Sequence, residues 1–179
     1  MDGRVEQAAD TYSAVLAVEP RHAGALRGRG LASMQLKQWA QAAEDLRLAR
    51  DVSPEEPDTW VELGMSLAMS DQVYPAIDVF EGLLAKWPAF VRGHLELGAL
   101  YLRIGAIPKA RQQFQRALAS QPTMEQRRLI ESVLRQQDKL DQKRFYRPDF
   151  DALHRAHQAR PVPWKAWISK LIKPFGRGA

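Results

Sequence analysis

Apolar residues in this chain recur three and four positions apart, in short stretches separated by polar or proline-containing breaks. Trp60, Leu63, Gly64 and Leu67 share one face of a predicted helix. Its first turn carries Pro57, Asp58 and Glu62, where a missing N–H costs nothing and negative charge is favoured. After Asp71 comes a second stripe, made of Ala76, Ile77, Phe80, Leu83 and Leu84. Pro75 falls in its first turn, and Pro88 closes the pair. The same side chains return every 34 residues: Pro20, Pro54, Pro88 and Pro122; Gly30, Gly64 and Gly98; Ala8, Ala42, Ala76 and Ala110; Tyr12, Leu46, Phe80 and Phe114. A unit of this length cannot bury its own apolar face, so neighbouring units must stack into a helical array. Gly64 and Ala76 are expected where two helices approach closely, with Phe80 filling the space between them.

This pattern resembles the tetratricopeptide repeat, whose signature runs W-x2-L-G-x2-Y, then A-x3-F, then P. Residues 91–124 supply His94, Leu97, Gly98, Tyr101, Ala110, Phe114, Ala117 and Pro122. Residues 23–56 supply Leu26, Gly30, Ala42, Leu46, Ala49 and Pro54. Arg29 departs from the usual leucine, Ser33 from the tyrosine, and Leu26 and His94 from the tryptophan. The resemblance implies an all-α, right-handed solenoid of antiparallel helix pairs with complete units at 23–56, 57–90 and 91–124. Residues 1–22 match only the second half of a unit. Their helix is therefore expected to leave Val5, Ala8, Ala9, Tyr12 and Val15 without a partner helix. Two accounts stay open: the array is cut from a longer protein, or another chain completes it through self-association.

After the last unit, Thr123 and Gln126 form a capping box opening a capping helix over 124–147, with Leu129, Ile130, Val133, Leu134 and Leu140 on one face and a polar opposite face. Residues 148–163 read as a linker with a short helix from Phe150 to about Gln158, stiffened by Pro161 and Pro163. A basic amphipathic helix over 164–175 comes next, and 176–179 form a flexible end. Trp164, Trp167, Ile168, Leu171, Ile172 and Phe175 make one continuous stripe, with Lys165, Lys170 and Lys173 off it. Three readings of this tail compete: docking back into the chain's own groove, binding another protein, or lying in an anionic membrane surface.

The net charge of +5 hides an asymmetry. Residues 1–124 hold 13 Lys and Arg against 15 Asp and Glu, whereas 125–179 hold 13 against 6, so the basic character belongs to the tail. Nucleic acid is nonetheless disfavoured as a partner, because no stacking-aromatic module or recognition-helix motif accompanies the charge. The absence of cysteine excludes disulfides, thiolate zinc sites and cysteine nucleophiles. His154 and His157 lie one helical turn apart, but no third ligand completes a set, so no metal or cofactor is expected. His94 stands in the signature's aromatic position and reads as packed core. The carboxylate pairs Glu44-Asp45 and Glu55-Glu56 read as solvation and helix-end charge. No phosphate loop or nucleophile elbow is present, and no catalytic residue is expected.

What remains is binding. The resemblance implies that the first helix of each unit lines a concave surface for a partner's peptide or amphipathic helix. On this chain those positions are Arg27, Leu31, Met34 and Gln35; Val61, Glu62, Met65, Ala68 and Met69; and Arg92, Leu95, Glu96, Ala99, Leu102 and Arg103. The methionines would give a deformable apolar surface, unless Met65 and Met69 pack between helices as core. Arg27, Arg92 and Arg103 would orient an acidic segment. One branch of the family grips a C-terminal carboxylate with an asparagine where Leu31, Met65 and Ala99 stand here, so that grip is not expected. The expected role is a non-enzymatic scaffold or adaptor. The alternatives are a membrane adaptor anchored by the tail, or the regulatory arm of a larger enzyme. No secretory signal stands at the start, which points to the cytoplasm, peripheral to a membrane if the tail anchors there. A periplasmic location stays open if sequence upstream is missing. Richness in Ala, Arg and Gln suggests a bacterial protein.

Overall fold

The computed structural model describes residues 2–144, with side chains from 3 to 139. The described residues form eight helices and no strand: α1 (Asp2–Val18), α2 (Ala23–Gln35), α3 (Trp39–Val52), α4 (Pro57–Met69), α5 (Val73–Lys86), α6 (Val91–Arg103), α7 (Ile107–Ala119) and α8 (Met124–Arg144). The chain divides into two units, Met1–Leu134 and Arg135–Ala179, and the first holds α1 to α7 with the opening turns of α8. Phe150 to Gln158, the histidines His154 and His157 and the stripe from Trp164 to Phe175 lie outside the described residues.

Helices pair as α2 with α3, α4 with α5 and α6 with α7, each pair stacking on the next. In every pair a glycine of the first helix lies under a bulky side chain of the second. A Cβ on Gly30, Gly64 or Gly98 would meet Leu46 at 2.8 Å, Phe80 at 2.5 Å or Phe114 at 2.7 Å. No larger side chain fits without pushing the helices apart, so these glycines set the interhelical distance. The core is built on this spacing. Leu46, Leu63, Leu67, Phe80, Leu83 and Leu97 are almost wholly removed from water, and Ile130 of α8 joins the same cluster.

The turns inside the units repeat as closely as the helices do. Lys37, Asp71 and Gly105 stand 34 apart, and all three adopt the left-handed region, at φ of 60°, 65° and 75°. Each stands just past the end of a first helix. There the N–H of Gln38, Gln72 or Ala106 donates to the carbonyl of Ser33, Leu67 or Tyr101 at 2.8, 2.9 and 2.8 Å. This bond from the residue after the turn back into the last helical turn is a Schellman closure. It reverses the chain within a few residues and brings the second helix antiparallel to the first.

Three local expectations need correction. Tyr12 does not lie on an open face: its ring covers Gly28 of α2 so closely that a Cβ there would run into it, so α1 packs on the next helix while Val15 and Val18 stay exposed. Asp45 is not a solvated partner of Glu44 but is buried, because Arg29 donates to both its oxygens at 2.8 and 2.6 Å. On α8 the apolar stripe is narrower than the pattern suggested, with Ile130 buried and Leu129 exposed. The helix start itself is closed reciprocally. Thr123 N–H donates to Gln126 Oε1 at 2.9 Å, and Gln126 N–H donates to Thr123 Oγ1 at 3.2 Å.

Candidate interaction groove

The first helices of adjacent units, α2 with α4 and α4 with α6, also touch one another directly, whereas the second helices make no contact of comparable extent. Closer approach on one side than on the other curves the array toward the first helices, which therefore line its inner face. Ring N–H groups fasten a first helix to the turn that precedes it. Trp60 Nε1–H donates to the Pro54 carbonyl at 3.0 Å, and in the next unit His94 Nε2 meets the Pro88 carbonyl at 2.7 Å. A carbonyl can only accept, so Nε2 bears the proton, and the Gln113 side chain meets Nδ1 at 2.9 Å. His94 thus does the tethering job of the tryptophan it replaces, from a buried position.

The groove residues divide into three groups. Leu31, Met34, Met65, Leu95 and Leu102 are half-buried, and the last four have their inner portions packed on the core; Met69 is 58% exposed, and Ala99 and Gln35 are exposed. Val61 belongs elsewhere. It is 0% exposed and lines no surface, because α4 is flanked by α2 and α6 and its short branched side chain cannot reach past them. The third group is charged and already engaged. Arg27 donates Nε and Nη2 to the two oxygens of Glu62 at 2.8 and 2.7 Å, a bidentate pair joining α2 to α4. That hydrogen bonding holds the Arg27 guanidinium above its ordinary pKa. Arg103 donates to the Ala68 carbonyl at 2.7 Å and to Asp71 at 2.5 Å, tying α6 to α4. Arg92, exposed, donates to Met65 Sδ at 3.4 Å. Arg27 and Arg103 therefore already hold carbonyl or carboxylate oxygens of the array itself.

Glu96 stands apart from these pairs. It is half-buried on α6, and burial raises its pKa above the ordinary carboxylate value against the opposing charge of Arg92 one turn away. Tyr101, near the end of α6, donates to Glu81 at 2.5 Å. Burial and this bond push its phenol up to about 12, so it remains a donor throughout the neutral range.

One cluster joins the signature tryptophan Trp60 to residues that the repeat pattern did not single out. Trp60 and Trp87 meet edge to face at 6.3 Å, Arg50 lies over Trp60 at 5.1 Å, and Lys86 lies 5.7 and 5.6 Å from the two ring centres. Lys86 also donates to Glu55 at 3.2 Å. The cluster fastens α3, α4 and α5 at one edge. Its signal in the sequence was the second tryptophan immediately before a repeating proline. Among the described residues no three His, Asp or Glu side chains converge to hold a metal, and no helix is long and apolar enough to cross a membrane.

Paired helices repeated in register around an inner face define a helical-repeat interaction protein. A tetratricopeptide repeat model matches residues 2–69 and 76–125, and the chain belongs to that family. No curated protein matches the sequence. Among solved structures, a crystal structure of MamA is similar at 19% identity, covering 78% of this chain and 92% of that one, with a TM-score of 0.65. MamA from residue 41 to its end, from Desulfovibrio magneticus RS-1, is similar at 20% identity over 66% of this chain with a TM-score of 0.62, and the match spans 67% of its length. The TPR domain of Arabidopsis OM64 is similar at 16% identity, covering 64% of this chain and 95% of that domain, with a TM-score of 0.58. At these identities the likeness is one of fold. The fold is a protein-interaction scaffold, and its members are in general not catalysts.

Proposed function

We propose that this chain is an adaptor that holds a helix or extended segment of a partner protein against α2, α4 and α6. The observation supporting this reading is the continuous inner face on which Leu31, Met34, Met65, Leu95 and Leu102 remain half-exposed while the ion pairs beside them hold the helices in place. Such a surface presents apolar area already ordered, so a partner's side chains lose their own freedom but the groove loses little. Met69, exposed at the end of α4, and Met65 can shift to fit differently shaped apolar side chains.

The test is a pull-down with the full chain and two variants. Ala99→Trp places bulk at an exposed position of α6 on the inner face; Leu48→Asp changes an exposed residue of the outer helix α3. Partners retained by the native chain and by Leu48→Asp but lost with Ala99→Trp are expected. Equal capture by all three would overturn the groove as the binding site.

A further inference from the structure

Glu62 and Glu96 stand 34 residues apart, at the same place on successive first helices. Glu62 is met by Arg27, 35 residues before it, through two short hydrogen bonds. The residue 35 before Glu96 is Val61, which is buried and carries no charge. The array therefore repeats the carboxylate but not its arginine. The cation nearest to Glu96 along α6 is Arg92, which turns its Nη2 to Met65 Sδ, and among the described residues none forms an ion pair with Glu96. A carboxylate that has lost part of its water and feels the charge of Arg92 one turn away, but is gripped by no ion pair, is a receptor for a cation.

We propose that Glu96 receives an arginine of the bound partner, whose guanidinium takes the place beside Glu96 that Arg27 takes beside Glu62, while apolar residues one turn away on the partner settle on Leu95 and Leu102. Arginine fits better than lysine because its planar fork matches both carboxylate oxygens, as Arg27 does, and because it gives up water more readily. The raised pKa of Glu96 is consistent with this, since an incoming cation relieves the cost of its charge. The preferred ligand is thus basic and apolar. An acidic segment would find Arg27 and Arg103 occupied and Glu96 repelling it.

The inference rests on the groove reading, and one experiment separates the two. A random library of helical peptides of ~16 residues, long enough to cross three first helices, is selected against the full chain. The best peptide is then measured by fluorescence anisotropy with its arginine intact or replaced by citrulline, the uncharged isostere. On the native chain citrulline is expected to weaken binding about tenfold or more, and on Glu96→Gln the two peptides should bind within about twofold of each other. Should selected peptides bind, lose affinity on Ala99→Trp and yet carry no arginine or tolerate citrulline, the groove stands and the Glu96 assignment is overturned. Should nothing be enriched, or Ala99→Trp leave binding unchanged, the groove reading fails and takes this inference with it.

Discussion

Arg29 and Asp45 occupy the places that Leu63 and Val79 fill one unit later, so the chain itself supplies the apolar version of this ion pair. Replacing Arg29 by Leu leaves the Asp45 carboxylate, whose side chain is only 5% exposed, without its two hydrogen bonds. Stranding a buried charge in this way costs about 3–5 kcal/mol. Replacing Asp45 by Val strands the guanidinium instead, but Arg29 is 27% exposed, lies within 3.4 Å of Ser13 Oγ, and can swing its head toward water. That single change should cost less, about 1–3 kcal/mol. The double variant Arg29→Leu, Asp45→Val recreates the Leu63–Val79 combination. It should recover to within about 1 kcal/mol of the native chain, or exceed it, because a well-packed apolar pair often matches or betters a buried ion pair. Urea unfolding tracked by far-UV circular dichroism gives the four stabilities of the cycle, read from midpoints at a common slope. The reasoning is refuted if the double variant is as unstable as Arg29→Leu alone, or if Asp45→Val is the more damaging single change.

The repeating positions make further outcomes testable. Lys37→Gly should stabilise the chain by a few tenths to about 1 kcal/mol in the same assay, since it relieves a left-handed residue, whereas Asp71→Gly should gain less because it also loses the Arg103 contact. Gly64→Ala should cost about 1–3 kcal/mol despite the better helix propensity of alanine, because its methyl group would sit 2.5 Å from the Phe80 ring; a neutral result would show that the helices can part freely. Glu96→Gln should raise the melting temperature at neutral pH. With a folded pKa above the unfolded one, native Glu96 contributes stability that is full below the ordinary carboxylate range and is lost as pH rises through the folded value, so the advantage of the variant should fade as the medium is acidified. A difference that instead grows on acidification would contradict the desolvation of Glu96.

Much of the scaffold was legible in the sequence because close packing restricts which residues can fill a repeating position. Gly64 and Phe80 are complementary in size, and that complementarity is visible as a 34-residue register before any coordinate is known. The capping box at Thr123 and Gln126 is equally local, so its residues announce it. The groove was less legible. Val61 shares a register with Arg27 and Leu95, and nothing in that register tells that the middle first helix is covered on both flanks. The pairing of Arg27 with Glu62 depends on a spacing one residue longer than the period, and hydrophobic periodicity does not reveal such a link. Asp45 beside Glu44 looked like solvated charge. The clue lay sixteen residues earlier, where Arg29 breaks the leucine position in the same unit.

The ion pairs differ in whether they respect the unit boundaries. Arg29 and Asp45 lie within 23–56, so that unit can be copied or transplanted with its buried pair intact. Arg27 with Glu62, and Arg103 with Asp71, each straddle a boundary. Those bonds record the order of the units: a chain with 57–90 and 91–124 exchanged would keep the acid at position 96 beside Arg27 but place Arg103 ahead of the turn it now secures. The repeating scaffold residues are alike from unit to unit and do not mark its place, whereas the Arg103–Asp71 pair is lost on that exchange, so the boundary-crossing charges carry information about the order of the repeats.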